Sequence, residues 1–340
     1  MKNLHPLLLF FLLCISILGK AQKRRITVSQ DGKGDFTTVQ GALASLSDSS
    51  SQTRVIFIRN GTYREKLYIE KHNIQLQGEE RAKVCITYPQ AREAWRCEHA
   101  DDWGVATFNI DGNDITLQNL TVVNSFGFDF EGENTISCPL DTVNPQKRIA
   151  QTGHQMAVRT MKATRFKAIN CTFRSYAGDT MSPWNVRQGL FYFKDCLMEG
   201  GVDLYCPRGW AYAENCTFVA TKGNACIWHD GSQQEDSKTV LNHCFFDGYA
   251  GFQLGRYHRD AQFYLFYCQF SQHMADQPIY RVPTQNTLRW GHRVYYYDCH
   301  KIGKEYAWYA DNIASAPQPV NPLHIGPEWV FGTRWNPLEN

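Results

Sequence analysis

Short runs in which apolar and polar residues alternate recur along most of the chain. Ala168-Ile169-Asn170-Cys171-Thr172-Phe173 is one such run. Ile115-Thr116-Leu117-Gln118-Asn119-Leu120-Thr121-Val122 is another, with Leu120 where the first has its cysteine. A period of two over so few residues belongs to half-buried strands rather than helices. Six of these runs carry a cysteine in the same setting, at Cys171, Cys196, Cys216, Cys244, Cys268 and Cys299, spaced 20 to 31 residues apart. A repeat of that length, with insertions, predicts a solenoid of short strands. Stacked inside it, the cysteines would form a column of buried thiols, because free Cys is among the most buried residue types. A disulfide framework is the competing reading, and no Cys-x-x-Cys pair points to zinc.

The pattern breaks in three places. Thr37 and Gln40 have capping-box spacing ahead of Ala42-Leu43-Ala44, which predicts a short helix able to close the open end of the solenoid. Val55-Ile56-Phe57-Ile58 and Asn60-Gly61 then read as strand and turn. The stretch from Phe126 to Gly153 reads as a long loop feeding directly into Gln155. The tail with Trp290, Trp308, Trp329 and Trp335 is expected to pack back on the solenoid. Asn60, Asn119, Asn170 and Asn215 begin Asn-x-Thr sequons, and the strand positions of the last three argue for burial.

Composition narrows the class without naming it. A chain of 340 residues with 43% hydrophobic and 20% charged residues is globular, and a net charge of +2 gives no reason to expect nucleic acid as a partner. Lys2, an apolar run from Leu7 to Leu18 and small residues before Ala21 have the form of a secretory signal. Residues 1–21 are therefore expected to be removed, leaving a secreted chain with one domain over residues 22–340 and no membrane span. A monomer is expected. With Cys14 in the signal, 11 of the 12 cysteines remain, so at least one thiol lacks an internal partner.

The candidate chemistry rests on a constant interval. Gln155, Asp179 and Asp203 stand 24 residues apart, so in a coil of that period they stack on neighbouring strands about 4.8 Å from one another. Two carboxylates that close push their pKa values apart, leaving one ionised and one inclined to keep its proton. An ester hydrolase without a serine can use that pair as nucleophile and general acid, with an amide beside them as oxyanion donor. Arg256, in Gln253-Leu254-Gly255-Arg256, is the cation placed to hold the nucleophile, two coils further on. The competing reading is that Asp and Gln serve only as turn and edge residues.

The segments Val28-Ser29-Gln30-Asp31-Gly32-Lys33-Gly34-Asp35-Phe36-Thr37-Thr38-Val39-Gln40, Gly61-Thr62-Tyr63-Arg64-Glu65, Gln155-Met156-Ala157-Val158-Arg159, Gly178-Asp179-Thr180-Met181, Gly201-Val202-Asp203 and Leu254-Gly255-Arg256 occur in one order. As an ordered set, from about residue 26 to residue 260, they resemble the pectin methylesterases. The resemblance implies an all-β fold, a single-stranded right-handed parallel β-helix. It also implies Asp203 as nucleophile, Asp179 as general acid and later base, Gln155 as an oxyanion donor and Arg256 as the partner of Asp203. It implies no cofactor and no metal. The substrate would be pectin or another methyl-esterified uronate polysaccharide, attacked at the methyl ester of galacturonate.

Three departures lie close to that chemistry. Gly178 stands where the family usually has a second glutamine, the family's Asp-Phe-Ile-Phe-Gly becomes Asp203-Leu204-Tyr205-Cys206-Pro207-Arg208-Gly209, and Tyr257-His258 follows Arg256 in place of Pro-Trp. Trp184, Tyr205, Trp228 and His258 are candidates to meet sugar rings, and Arg208 to hold a neighbouring free carboxylate. Their competing readings are core packing and a solvated turn arginine. Two other functions remain open on the sequence: a pectin-degrading lyase, which would share fold and polymer, and a non-catalytic relative that binds pectic polysaccharide.

Overall fold

The computed structural model describes residues 25–318 and 320–339. The expected signal segment and its cleavage point lie outside them. The chain winds as a parallel β-helix whose successive coils add one strand to each of three faces. The first face is a ten-stranded sheet running from Arg25–Val28 through Arg54–Ile58 to Val294–Tyr297, and the second a nine-stranded sheet from Gly61–Arg64 to His300–Lys301. Period-two alternation decides what each strand buries. On the second face Phe173, Met198, Phe218, Phe246 and Phe270 stand in register, and the Phe218 and Phe246 rings stack at 4.7 Å.

The corner between these two faces explains the repeat seen in the sequence. Asn119, Asn170, Asp195, Asn215, His243, Tyr267 and Asp298 all have φ between 48 and 53°. A single left-handed residue turns the chain sharply, and Asn and Asp tolerate that conformation best among residues with a side chain. The next residue is then aimed inward, and it is Leu120, Cys171, Cys196, Cys216, Cys244, Cys268 or Cys299, all buried. The column of thiols is therefore as expected. The three sequon asparagines are not buried, because the corner residue itself faces outward while its successor fills the core.

One cysteine pair departs from the column: Cys97 and Cys138 form a disulfide. It ties the helix Arg92–Glu98 to the excursion between residues 126 and 153. That excursion is not a structureless loop, since it holds a helical turn, Phe126–Asp129, and an antiparallel hairpin, Glu133–Ser137 with Gln146–Ala150.

The N-terminal helix is present at Val39–Ser45, but its cap is Thr38 rather than Thr37. Thr38 Oγ1 accepts from Gly41 N, and Glu65 accepts from Val39 N and Gln40 N at 2.9 Å each. Gln40 does not close a capping box; its amide oxygen accepts instead from Tyr68 N. Val39, Ala42 and Leu43 are buried in the core. At the other end of the chain, Trp329 and Phe331 cover the outward aromatic row Tyr192, Tyr212, Tyr264 and Tyr295 of the first face. No described helix is long and apolar enough to cross a membrane.

The third face is the discontinuous one. Leu67–Ile69, Ala106–Ile110, Met156–Thr160 and Met181–Ser182 pair in order, and Ala225–His229, Gln253–Tyr257 and Tyr280–Arg281 pair further along. Between the two groups the ladder narrows to single bridges from Tyr205 to Met181 and to Ile227.

Candidate active site

That narrowing is where Asp203 sits. Its φ is +47°, an uncommon conformation for a residue with a side chain and one often found at functional sites. The surroundings fix it: Asp203 N donates to Ala225 O at 2.6 Å, and the buried Cys206 thiol donates to Asp203 O at 2.8 Å. The left-handed turn carries the Asp203 carboxylate to the outer surface, where Arg256 meets it as a fork. Nε reaches Oδ1 at 3.0 Å and Nη2 reaches Oδ2 at 2.6 Å. Arg256 arrives from two coils away, because Gln253–Tyr257 pairs with Ala225–His229, which in turn meets Tyr205.

Asp179 precedes the Met181–Tyr205 bridge by two residues, as Asp203 precedes it on the next coil, so the two acids are in register. Both are 8% exposed and both line one cavity of about 460 Å³. Burial pushes the Asp203 carboxyl above its usual range; the Arg256 pair opposes this and the Asp179 charge adds to it. The same pair raises the Arg256 guanidinium.

The other predicted residues divide. Trp184, Trp228 and Arg208 line the cavity with the two acids. Trp228 lies under Arg256, with Cζ 5.1 Å from the ring centroid. His258 touches Trp228 edge-on at 4.9 Å but is not among the lining side chains. Arg208 is committed rather than free: Nε and Nη2 clasp Asp230 at 2.5 and 3.0 Å, and its side chain is 3% exposed.

Tyr205 is not at the surface at all. The left-handed turn at Asp203 breaks the strand alternation and sends it inward, fully buried among Phe193 and Phe218, with its hydroxyl unpaired among the described residues. That environment excludes contact with a sugar and corrects the assignment made from the sequence.

Gln155 is buried and is not among the residues lining the cavity. Its Oε1 accepts from Gly127 N at 3.0 Å and its Nε2 donates to Gln151 O. Both ends of the amide are thus held by the 126–153 excursion.

Several cavity residues were not anticipated. Arg92 and Arg96 converge on Asp102, whose two oxygens accept from both guanidiniums at 2.7 to 3.3 Å. Burial alone would raise the Asp102 carboxyl; these two partners outweigh it and hold it at about 2. His154 also lines the cavity, its Nδ1 3.3 Å from Glu93 Oε1, a contact that raises its pKa. Arg159, on Met156–Thr160, donates from Nη1 to Ser182 Oγ at 2.8 Å. A charged side chain inside an otherwise apolar strand was the available signal for Arg159. The helix carrying Arg92 and Arg96 offered none, since it lies about 80 to 110 residues before the two acids and reaches them only through the fold.

Comparison with known proteins agrees with this architecture. Residues 25–142 match the Pectinesterase family model. Pectinesterase 31 of Arabidopsis thaliana is 27% identical over 237 residues, covering 67% of this chain and 66% of that protein. Probable pectinesterase/pectinesterase inhibitor 13 of the same plant is 26% identical over 60% of this chain, which spans only 28% of that longer protein. A pectin methylesterase solved in complex with a hexasaccharide superposes with a TM-score of 0.71 at 20% identity, covering 93% of this chain and 98% of its own. The pectin methylesterase of Erwinia chrysanthemi gives 0.69 at 20% identity, with 92% and 97% covered. At these identities the solved structures establish the shared fold, and over residues 25–142 and in its curated relatives the chain is similar to the pectin methylesterases (pectinesterases).

Proposed function

We propose that the protein is a carboxylic ester hydrolase acting on the methyl esters of galacturonate in pectin or a closely related polysaccharide. The observation that carries the reading is the Asp203 carboxylate. It is held in a left-handed turn at the one place where the third face gives way, forked by Arg256, with Asp179 one coil away in the same cavity.

In the proposed reaction an Asp203 oxygen attacks the ester carbonyl, and the resulting tetrahedral oxyanion collapses by breaking the bond to the methoxy oxygen. Asp179 gives that oxygen its proton, so methanol leaves and an acyl-enzyme anhydride remains. Asp179 then takes a proton from water, which attacks the acyl carbon and returns Asp203 and a free carboxylate. Arg256 keeps Asp203 ionised and aimed. With Gly178 in place of a glutamine and the Gln155 amide held by the 126–153 excursion, the oxyanion falls to other donors on the cavity wall. Weak oxyanion stabilisation favours slow turnover, since removing one such donor typically costs about a hundredfold or more.

The test is methanol release from highly methylated pectin, with absorbance of an unsaturated product followed in parallel. Methanol without that absorbance supports the esterase; the reverse outcome makes the protein a lyase. Binding of pectic fragments with no methanol from any esterified uronate polymer makes it a non-catalytic relative. Asp203→Asn is expected to lower turnover at least a thousandfold while leaving the fold intact, because the change is nearly isosteric and removes only the nucleophilic charge.

A further inference from the structure

The first face presents its outward side chains in rows, because strands paired in register stack residue on residue. Tyr192, Tyr212, Tyr264 and Tyr295 belong to one such row, and the C-terminal segment covers them. Toward the N-terminal coils the same row continues as Lys167, Thr116, Gln75 and Val55. The C-terminal segment meets this stretch at Lys167, whose Nζ donates to Pro337 O at 3.1 Å, and lines none of the groove that opens beyond.

That groove has a volume of about 670 Å³, larger than the cavity of the two acids. Gln75, Thr116 and Gln118 line it from the sheet, and Ser51, Gln52 and Thr53 from the segment before the second strand. Val55 and Ile169 are its apolar members. Among the lining residues Lys167 carries the only charge. It is half-buried, burial lowers its pKa, and no carboxylate pairs with it among the described residues. An ammonium has three donors, of which Pro337 takes one. The two glutamines hold each other: Gln75 Nε2 donates to Gln118 Oε1 at 2.7 Å, leaving the Gln75 carbonyl as an acceptor beside the Gln118 amino group as a donor.

Such a lining selects its ligand. Amide and hydroxyl groups in pairs suit sugar hydroxyls, which also donate and accept, and an unpaired ammonium suits a carboxylate. One cation is too few for a nucleic acid, and a groove without aromatic lining lacks the anchors of a protein interface. We propose that this groove is a second, non-catalytic holding site for an acidic polysaccharide, with Lys167 on a uronate carboxylate and the Gln75–Gln118 pair on sugar hydroxyls. The choice of polymer rests on the pectin reading; the site itself lies on the first face, whereas the acids lie on the third. A long chain engaged at both places is retained more tightly than at either alone.

The test is an NMR titration of the intact protein with a short, fully de-esterified oligogalacturonate, which carries no ester to be turned over. The side-chain amide signals of Gln75 and Gln118 report the groove, and the Trp228 indole signal reports the cavity. The groove signals are expected to shift saturably. Lys167→Glu is expected to weaken that binding about tenfold or more, while the affinity read from Trp228 changes less than threefold. A neutral galacto-oligosaccharide of the same length and inorganic phosphate are expected to leave the groove signals in place. Movement of Trp228 alone, equal losses at both places, or saturation by phosphate or the neutral sugar at the same affinity would overturn the site. If Lys167→Glu does not fold, the comparison is made with Lys167→Gln, where a selective loss supports the site and an unselective or absent one rejects it. Shifts in the groove without Trp228 sustain the site and count against the pectin reading of the cavity. Silence at both overturns the two together, and methanol release by the unsubstituted chain tests that reading separately.

Discussion

As the proposed nucleophile, Asp203 has to carry a charge although it is largely buried. Burial works against the charge and Arg256 works for it, and the balance leaves the carboxyl above its ordinary range. In the proposed reaction only the deprotonated form attacks. Activity is therefore lost as pH falls through a value higher than that of a solvated aspartate. Arg256→Met removes the opposing influence, so the acid limb of kcat/KM is expected to move further up in pH while the maximum falls about a hundredfold or more. A pH–rate profile of both proteins checks this, and a limb that stays put or moves down would remove Arg256 from the role. The same residue-level view explains Tyr205. It looked like a surface aromatic two residues after the acid, but the positive φ of Asp203 resets the alternation and sends Tyr205 into the core.

At the scale of elements, the departures from the family pattern turn out to be built in. A Cβ added at Gly178 would stand 1.8 Å from Val202 O, on the neighbouring coil. Gly178→Gln therefore does not restore a missing donor; it is expected to lower the melting temperature by several degrees, at a cost of about 1–3 kcal/mol or more, with no gain in turnover. Thermal melting and a methanol assay on the same preparation decide it.

What could be read from the chain follows the same division. The repeat of corner residue and cysteine showed the solenoid, because every coil must turn at the same place and fill the same core column. The equal spacing of Asp179 and Asp203 showed the acid pair for the same reason. Arg92, Arg96 and Asp102 did not show, since they come from an excursion whose position no repeat dictates. Nor did the Cys97–Cys138 disulfide, hidden among cysteines of a different role. That bond closes a separation of 41 residues, which in the chain-entropy view is worth roughly 4 kcal/mol to the excursion it holds. Replacing both cysteines by alanine is expected to leave the solenoid melting intact and to open the 131–150 hairpin to proteases. Limited proteolysis followed by mass analysis is the check, and a loss of the main transition instead would assign the bond to the core.

For the whole molecule, the division of labour is between two continuous faces and one interrupted face. Ten and nine strands run in register along the first two, and their inward columns of aliphatic and aromatic residues supply the core. The third face bears the cavity, the excursion and the arginine cluster, so changes in coil length fall there without disturbing the corners. The C-terminal segment completes the structure by covering Tyr192, Tyr212, Tyr264 and Tyr295, a row of rings that would otherwise face water.

The thiol column also makes the protein its own reporter of opening. Of the nine free cysteines among the described residues, eight are buried and Cys85 alone is half-buried. A water-soluble thiol label should find about one slow site in the native state and the rest only as coils come apart. Because each cysteine belongs to a known coil, the order in which they become labelled in mild denaturant would record the sequence of unravelling. Simultaneous labelling of all of them would mean instead that the solenoid unfolds as a single unit.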